Sequence, residues 1–544
     1  MEKDSTSAKV VEIDGHFFYC LIALVSLGLL TRALWPLPLQ IWNYVFAHKY
    51  QLNLCALAGI VMGVGIGLGY LWNKYQERRS QSAVVEADET SIFLGLESKT
   101  EKKIYLKEDF RTAHTQVIGT TNAGKTASTI LPWAAQDIEQ GRGLLIMDGK
   151  AERSFLNQIY SHVVRHNRQS DFMVFSLANP YISSTCNPFS GGLPEQVSER
   201  VFSAFNINTP YYGDIQFEAL RTVVDLLMRR GQVPMPGVIR ELLRNKDKLR
   251  SWLPGLEDKN LASDLQAMLD VKDEKFEEKY SGLVTALGHF SKGMTARLFN
   301  TRNPEIDILD AIRRKKIIYF QLPTMQFPFL GAATGKLVLQ TLESAASQIQ
   351  VEGKRPSSLF SVYLDDFNDY LYPGFASLLN KSRSANIGVV FAHQSLGDLD
   401  KISPEFKQIV LTNTNIKVIM RSNDPVSAEL FSKIIGTKTV ERTTERRSRE
   451  IFGERDTGEQ SVREVEEYII HPNVFKVGQR RGEGVVVIPH PEGRVVKQVE
   501  FSTAPELPTI AMPIRDLPEL DLSAEAVNRG VVSVQVNGNP LKAA

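Results

Sequence analysis

Two apolar blocks open the chain, and short apolar runs punctuate the rest. Phe17 to Leu34 is largely apolar, with Arg32 near its end, and Leu52 to Trp72 carries no charge. Each approaches the roughly twenty residues needed to span a bilayer, so residues 1–80 are expected to form an anchor with two transmembrane helices at about 17–34 and 52–72. Glu2, Asp4, Glu12 and Asp14 precede the first block, the opposite of the basic flank of a secretory signal. Lys74, Arg78 and Arg79 follow the second block, against Arg32, His48 and Lys49 in the short loop. That bias puts both termini in the cytoplasm. Gly59, Gly63 and Gly67 recur every fourth residue, with Gly65 and Gly69 repeating the spacing; such a stripe permits close approach of membrane helices, within this hairpin or between neighbouring chains.

Beyond a polar, turn-rich connection from Gln81 to Thr100, the apolar runs become short and continuous: Gly143 to Asp148, Phe172 to Ser176, Lys316 to Gln321, Leu359 to Asp365, Gly388 to Gln394 and Ile416 to Met420. Runs of that kind suit strands covered on both faces, and the helix-like stretches between several of them predict an α/β domain with a mostly parallel sheet. From Pro194 to about Ile308 the alternation stops. Asp214 to Gly231, Leu242 to Leu253, Leu261 to Leu269 and Tyr280 to Leu298 keep a helical period, predicting an all-helical insertion at 194–308. It divides the α/β part into residues 81–193 and 309–502. After Gly436 a run of mixed Arg and Glu reads as a solvated linker or flap; strands resume at Val485 to Ile488 and Val495 to Phe501. The proline-rich residues 503–544 read as an extended or disordered tail.

Composition narrows the function classes. A net charge of +1 over 544 residues argues against a protein that coats nucleic acid, so any such contact comes from local patches. The densest are Arg313-Arg314-Lys315-Lys316 and Arg244, Lys246, Lys248, Arg250, either of which could neutralise phosphates or simply end a solvated helix. Cys20, Cys55 and Cys186 have no metal-ligand spacing.

The chemistry is concentrated in a few strand tips. Gly119-Thr120-Thr121-Asn122-Ala123-Gly124-Lys125-Thr126 is a complete phosphate-binding loop between a strand-like run and a helix-like one. Glycines let backbone N–H groups curl around phosphates at a helix N-terminus, Lys125 reaches the outer phosphates, and Thr126 is placed for Mg²⁺. ATP and Mg²⁺ are therefore the expected ligands. Val362-Tyr-Leu-Asp365-Asp366 ends a second strand in two carboxylates, with Asp365 assigned to magnesium and Asp366 to the attacking water. Gln394 ends a third, placed to sense the γ-phosphate, and Asp148-Gly-Lys150-Ala-Glu152 closes a fourth.

The order of these elements resembles the type IV secretion coupling proteins, the conjugative DNA-transfer ATPases of the TraD/TraG type. The resemblance rests on the two N-terminal helices, the phosphate loop followed by Ile130-Leu-Pro132, Asp148-Gly-Lys150, Asn187-Pro-Phe189, the helical insertion, Leu364-Asp-Asp-Phe367 and Arg383-Ser-Ala-Asn-Ile-Gly-Val-Val-Phe-Ala-His-Gln394-Ser395. It implies a RecA-like motor domain, a homo-hexameric ring at the inner membrane, a relaxase–DNA complex as substrate and secretion-channel components as partners. It also implies that Asp365 serves the magnesium, that Gln394 couples hydrolysis to movement, and that Arg383 acts as a finger reaching a neighbouring subunit's nucleotide. Where the family usually carries Asp-Glu, this chain has Asp365-Asp366, which pulls the second carboxylate back by roughly an ångström. Two alternatives stay open: a nucleotide-gated receptor for protein secretion with weak ATPase activity, and a chromosomal or phage-type DNA pump.

Overall fold

The structure, a computed structural model, describes residues 88–517 except 206, 208–209, 451–452 and 491–492, together with Gly63, Gly67 and Leu520; side chains of 210–211, 441–450 and 453–462 are outside it. The chain divides into two compact units, 1–79 and 80–544, and the fold that follows belongs to the second. Both expected membrane spans lie outside the described residues, apart from the two glycines. No helix among the described residues is long and apolar enough to cross a membrane.

Eleven strands form one sheet: β1 (Ile92–Glu97), β2 (Lys103–Leu106), β3 (Thr115–Ile118), β4 (Gly143–Asp148), β5 (Phe172–Ser176), β6 (Ile317–Gln321), β7 (Phe360–Asp365), β8 (Ile387–His393), β9 (Ile416–Met420), β12 (Glu483–His490) and β13 (Gly493–Phe501). Their order is β2-β1-β13-β12-β9-β3-β8-β7-β4-β6-β5. The seven strands from β9 to β5 run parallel, as the near-continuous hydrophobic runs require. The remaining four add an antiparallel flank. Alternation on a strand divides the core in two. Leu145 and Met147 of β4 join one cluster and Leu144 and Ile146 the other; on β7, Val362 and Leu364 face the first and Tyr363 the second. The chain leaves β3 and returns in β4, with β8 and β7 lying between them, so a crevice opens at the carboxyl edge beside β3, where ligands of such sheets bind.

Between β5 and β6 run helices Pro194–Phe205, Pro210–Arg229, Pro236–Arg244, Lys246–Arg250, Lys259–Asp270, Asp273–Ser291, Ala296–Phe299 and Ile308–Arg314. A row of rings joins them to the sheet: Phe175 of β5 lies 5.2 Å from Phe299, which lies 4.9 Å from Phe290, itself 5.5 Å from Phe205. Two of the expected helices are broken. Asn245 leaves helical geometry and caps the next turn, its side chain accepting from Lys248 N–H at 2.9 Å, so 242–253 is not one helix. Gly293, at φ 74°, lies beyond the helix that ends at Ser291.

Three polar segments carry structure that their composition concealed. The connection read at 81–100 contains β1, which joins the sheet edge. The charged run after Gly436 is a two-stranded ribbon, β10 (Thr437–Glu450) paired with β11 (Gly453–Tyr468). Residues 503–517 hold no helix or strand, yet they are fastened down. Ser161 Oγ donates to Pro508 O at 2.9 Å and accepts from Ile510 N–H at 3.1 Å; Arg515 N–H reaches Tyr181 O at 2.6 Å, and its guanidinium bonds Ser184 Oγ at 2.7 Å and pairs with Glu305.

Candidate functional site

The loop Gly119 to Thr126 leaves the carboxyl end of β3 and turns into the helix that begins at Lys125. Its glycines are there for steric reasons. A Cβ at Gly119 would lie 2.9 Å from Met420 Cβ; Gly124 takes φ 106°, and a Cβ on it would lie 3.0 Å from Gly482 N, whose N–H bonds Ala123 O at 2.9 Å. Thr121, Asn122, Gly124, Lys125 and Thr126 face a cleft of about 210 Å³, shared with Lys150, Gln394 and Arg481; Gly119, Thr120 and Ala123 form the loop's back. Lys125 Nζ folds onto the loop, donating to the carbonyls of Gly119 (2.7 Å) and Thr120 (3.2 Å). Burial holds its ammonium below the usual lysine range, although Asp365 and Asp366 oppose this.

Two residues that are 239 positions apart meet at the floor of the cleft: Thr126 Oγ1 donates to Asp365 Oδ2 at 2.6 Å. Burial, and the adjacent Asp366 charge, raise the Asp365 carboxyl. Asp366 takes a left-handed conformation, φ 46°, which turns its side chain away from the strand line, and Lys150 Nζ lies 2.7 Å from its Oδ2. Lys150 stands on a fixed turn. β4 and β7 place Asp148 opposite Asp365; Asp148 accepts the N–H groups of Lys150 (3.0 Å), Ala151 (2.9 Å) and Glu152 (2.9 Å), and the Tyr319 hydroxyl donates to it at 2.7 Å. Burial pushes the Asp148 carboxyl up to about 7, with Asp365 adding to the rise.

Gln394 follows the last residue of β8, which pairs with the end of β3. Its own N–H and that of Ser395 both donate to Asp398 at 3.1 Å. Beneath it a buried polar row crosses three strands: Lys417 Nζ to Gln116 Oε1 (3.4 Å), Gln116 Nε2 to His393 Nε2 (2.9 Å), His393 Nδ1 to Ser395 O (2.8 Å). Arg383 is elsewhere. It lies exposed in the turn Ser382–Ala385 that precedes β8, so the seven residues of that strand, roughly 23 Å at 3.3 Å each, separate it from Gln394. It belongs to the amino edge of the sheet and cannot reach its own chain's loop.

Arg481, Gln158 and Ser154 line the cleft without having been singled out in the sequence. For Arg481 the pattern Gly478-Gln-Arg-Arg-Gly482 ahead of β12 was the available signal. Both basic clusters are largely matched internally: Arg313 pairs with Glu352, Arg314 with Asp310, Lys316 with Asp171, Lys246 with Asp273, Lys248 with Glu241 and Arg250 with Asp247.

A glycine loop at a sheet's carboxyl edge, with a hydroxyl and a strand-end carboxylate closing beneath it, defines a phosphate-loop nucleotide-binding domain of the mostly parallel α/β kind. Within that class the resemblance to the type IV coupling proteins is borne out. Residues 360–476 match the family described as the TraM recognition site of TraD and TraG. The type 4 coupling protein DotL of Legionella pneumophila subsp. pneumophila is 23% identical over 420 residues, 64% of this chain and 52% of DotL, so the match spans about half of that relative. In fold, the chain is similar to the bacterial conjugative coupling protein TrwBdeltaN70 (TM-score 0.56, 14% identity, 78% of this chain and 93% of that one). It is equally similar to the plasmid coupling protein TrwB in complex with ADP and Mg²⁺ (TM-score 0.56, 13% identity, 79% and 93%).

Proposed function

We propose that the chain is a membrane-anchored ring ATPase that recruits a relaxase–DNA substrate and uses ATP hydrolysis to deliver it to a type IV secretion channel. The observation that carries this reading is the 2.6 Å contact between Thr126 and Asp365, which joins the phosphate loop to the β7 carboxylate at the cleft where Gln394 also sits. Two hard oxygen donors, one of them a buried carboxylate whose charge burial disfavours, suit a divalent cation that takes its other ligands from phosphate and water. Mg²⁺ held there supplies charge neutralisation on the transferring phosphoryl group.

The chain's own residues do the rest. Loop N–H groups and Lys125 bind the phosphates, Asp366 orients the water and accepts its proton, and Gln394, anchored through Asp398, reports the state of the terminal phosphate to β8. Arg383, at the opposite sheet edge, serves the nucleotide of a neighbouring copy in a homo-hexameric ring. The membrane anchor at residues 1–80, with both termini cytoplasmic, ties that ring to the inner membrane.

The test is a DNA-stimulated ATPase assay on the full chain, wild type against Lys125→Ala, Asp366→Glu and Arg383→Ala, with subunit mixing. Lys125→Ala abolishes turnover, and mixing Arg383→Ala with Lys125→Ala subunits restores part of it, because each supplies what the other lacks. Hydrolysis indifferent to every nucleic acid would sink the DNA-transfer reading. A second reading, a nucleotide-gated receptor with weak hydrolysis, draws on the short Asp366 and its ion pair with Lys150; under it Asp366→Glu leaves substrate delivery unchanged.

A further inference from the structure

Lys150, on the wall of the cleft, pairs directly with the carboxylate expected to handle water, its Nζ 2.7 Å from Asp366 Oδ2. Its side chain is half exposed (48%), while that of the partner Asp366 is mostly covered (15%). The backbone beneath it is over-determined: three N–H bonds to Asp148, the Tyr319 hydroxyl behind that carboxylate, and Thr324, whose N–H donates to Gly149 O at 3.2 Å. Gly149 also backs onto Asp366, since a Cβ there would stand 3.2 Å from Asp366 O. A rigid turn thus carries a single flexible cation between the water-handling carboxylate and the space beside Lys125 and Thr126. Merely structural ion pairs have no need of such a mount, nor of a position on the wall of the phosphate cleft.

We propose that Lys150 is a terminal-phosphate ligand that restrains Asp366. It holds that carboxylate as an ion pair, and exchanges it for the γ-phosphate of a bound nucleoside triphosphate, whose oxygens are stronger partners for an ammonium than one carboxylate. The exchange releases Asp366 when a triphosphate is bound and not when a diphosphate is. In the step that follows, the water oxygen bonds to the terminal phosphorus, the bond from that phosphorus to the β–γ bridging oxygen breaks, its electron pair leaves with the nucleoside diphosphate, and the water proton passes to Asp366. A diphosphate has no group to draw Lys150 away, so the ion pair reforms on product. This inference rests on the nucleotide reading above and adds to it a means of telling triphosphate from diphosphate.

The experiment is equilibrium binding of ADP and of a non-hydrolysable ATP analogue, each with Mg²⁺, to the full chain. Lys150→Met, which keeps the stem and removes the charge, weakens the triphosphate roughly tenfold to a hundredfold, the worth of one charged hydrogen bond, and leaves ADP within about twofold. Asp366→Asn acts oppositely: with Lys150 no longer held, the triphosphate binds more tightly while turnover falls. Lys150→Arg restores part of the preference. Equal loss for both nucleotides, or none for either, in Lys150→Met overturns the proposal even though the wild type binds both. An Asp366→Asn protein whose triphosphate affinity is unchanged or lower overturns it independently of how Lys150→Met folds. Wild type binding neither nucleotide removes the nucleotide reading itself, and this proposal with it.

Discussion

Strand β7 passes through two polar clusters two residues apart on one face of the sheet, and they are built on opposite principles. At Tyr363, everything is matched. Arg111 makes a two-pronged pair with Asp137 (2.6 and 2.8 Å) and also bonds the hydroxyls of Ser361 (3.1 Å) and Tyr363 (2.9 Å); Tyr363 donates to Asp137 at 2.6 Å, and Arg142 joins Asp137 (3.1 Å) to Glu108 (2.7 Å). Arg111 and Asp137 are buried (3% and 0%). At Asp365 the same strand ends in two adjacent carboxylates, one buried against the Thr126 hydroxyl and the Asp366 N–H, the other turned to a half-exposed lysine. A network with every donor and acceptor filled fixes strand against helix; one that leaves like charges together can trade partners with a ligand. The arrangement of partners, more than the presence of charge, separates scaffold from site.

The comparison breaks first at Asp137. Asp137→Ala strands two buried guanidinium groups and should cost roughly 3–5 kcal/mol, measured by denaturant unfolding; a loss below about 1 kcal/mol would deny the cluster its scaffold role. Burial works against the Asp137 charge, but Arg111 more than compensates and holds the carboxyl at about 2. Being lowered on folding, it stabilises at all pH values above its unfolded value, and that contribution is lost only as pH falls from about 4 towards 2.

Lys417 tests an intermediate case, a buried cation with hydrogen bonds to the Leu411 and Thr414 carbonyls (3.0 and 2.8 Å) but no carboxylate. Burial lowers its ammonium to about 7, with Arg494 adding a little. Since the folded value is the depressed one, stability should climb with pH between about 7 and 10.5 and be flat below 7. The gap between Lys417→Met and wild type should change by up to a few kcal/mol across that window. A pH-independent gap would mean that carbonyls alone satisfy the charge.

Asp365→Asn should stabilise the protein by about 1 kcal/mol in nucleotide-free, Mg²⁺-free buffer, because it removes a like-charge neighbour of Asp366, and should abolish the rise in Tm that nucleotide with Mg²⁺ produces. Destabilisation in plain buffer would assign Asp365 to the scaffold. The smallest effect belongs to Arg383→Ala: exposed and outside both clusters, it should shift stability by no more than about 0.5 kcal/mol and leave single-subunit nucleotide affinity unchanged.

Much of this was legible in the sequence because parallel strands advertise themselves. Their continuous apolar runs located β4 to β9 within a residue or so, and a carboxylate pair or a glutamine at the end of such a run has one place to go, the carboxyl edge beside the loop. Residues that act through direction were not legible. Arg383 stands only a few positions ahead of Gln394's strand, yet a strand's length puts the two on opposite edges. Asp366 was readable as an acid, but neither its left-handed backbone nor its lysine partner leaves a mark in spacing. β1 and β2 are short, mixed strands at an edge, where sheet pairing supplies what hydrophobic pattern does not. The break at Asn245 is decided by one side chain capping the turn after it, which periodicity cannot register.

The fastening at Arg515 has a mechanical consequence. Ser184 and Glu305, the two residues it bridges, lie before the helix that starts at Pro194 and after the one that ends at Phe299, so they bracket all but the last of the helices between β5 and β6. One guanidinium thus laces both ends of a doorway. Tension applied to the chain beyond residue 517 is delivered first to that lacing, so a binding partner gripping the far end would be pulling at the root of the helical insertion and not at the nucleotide cleft.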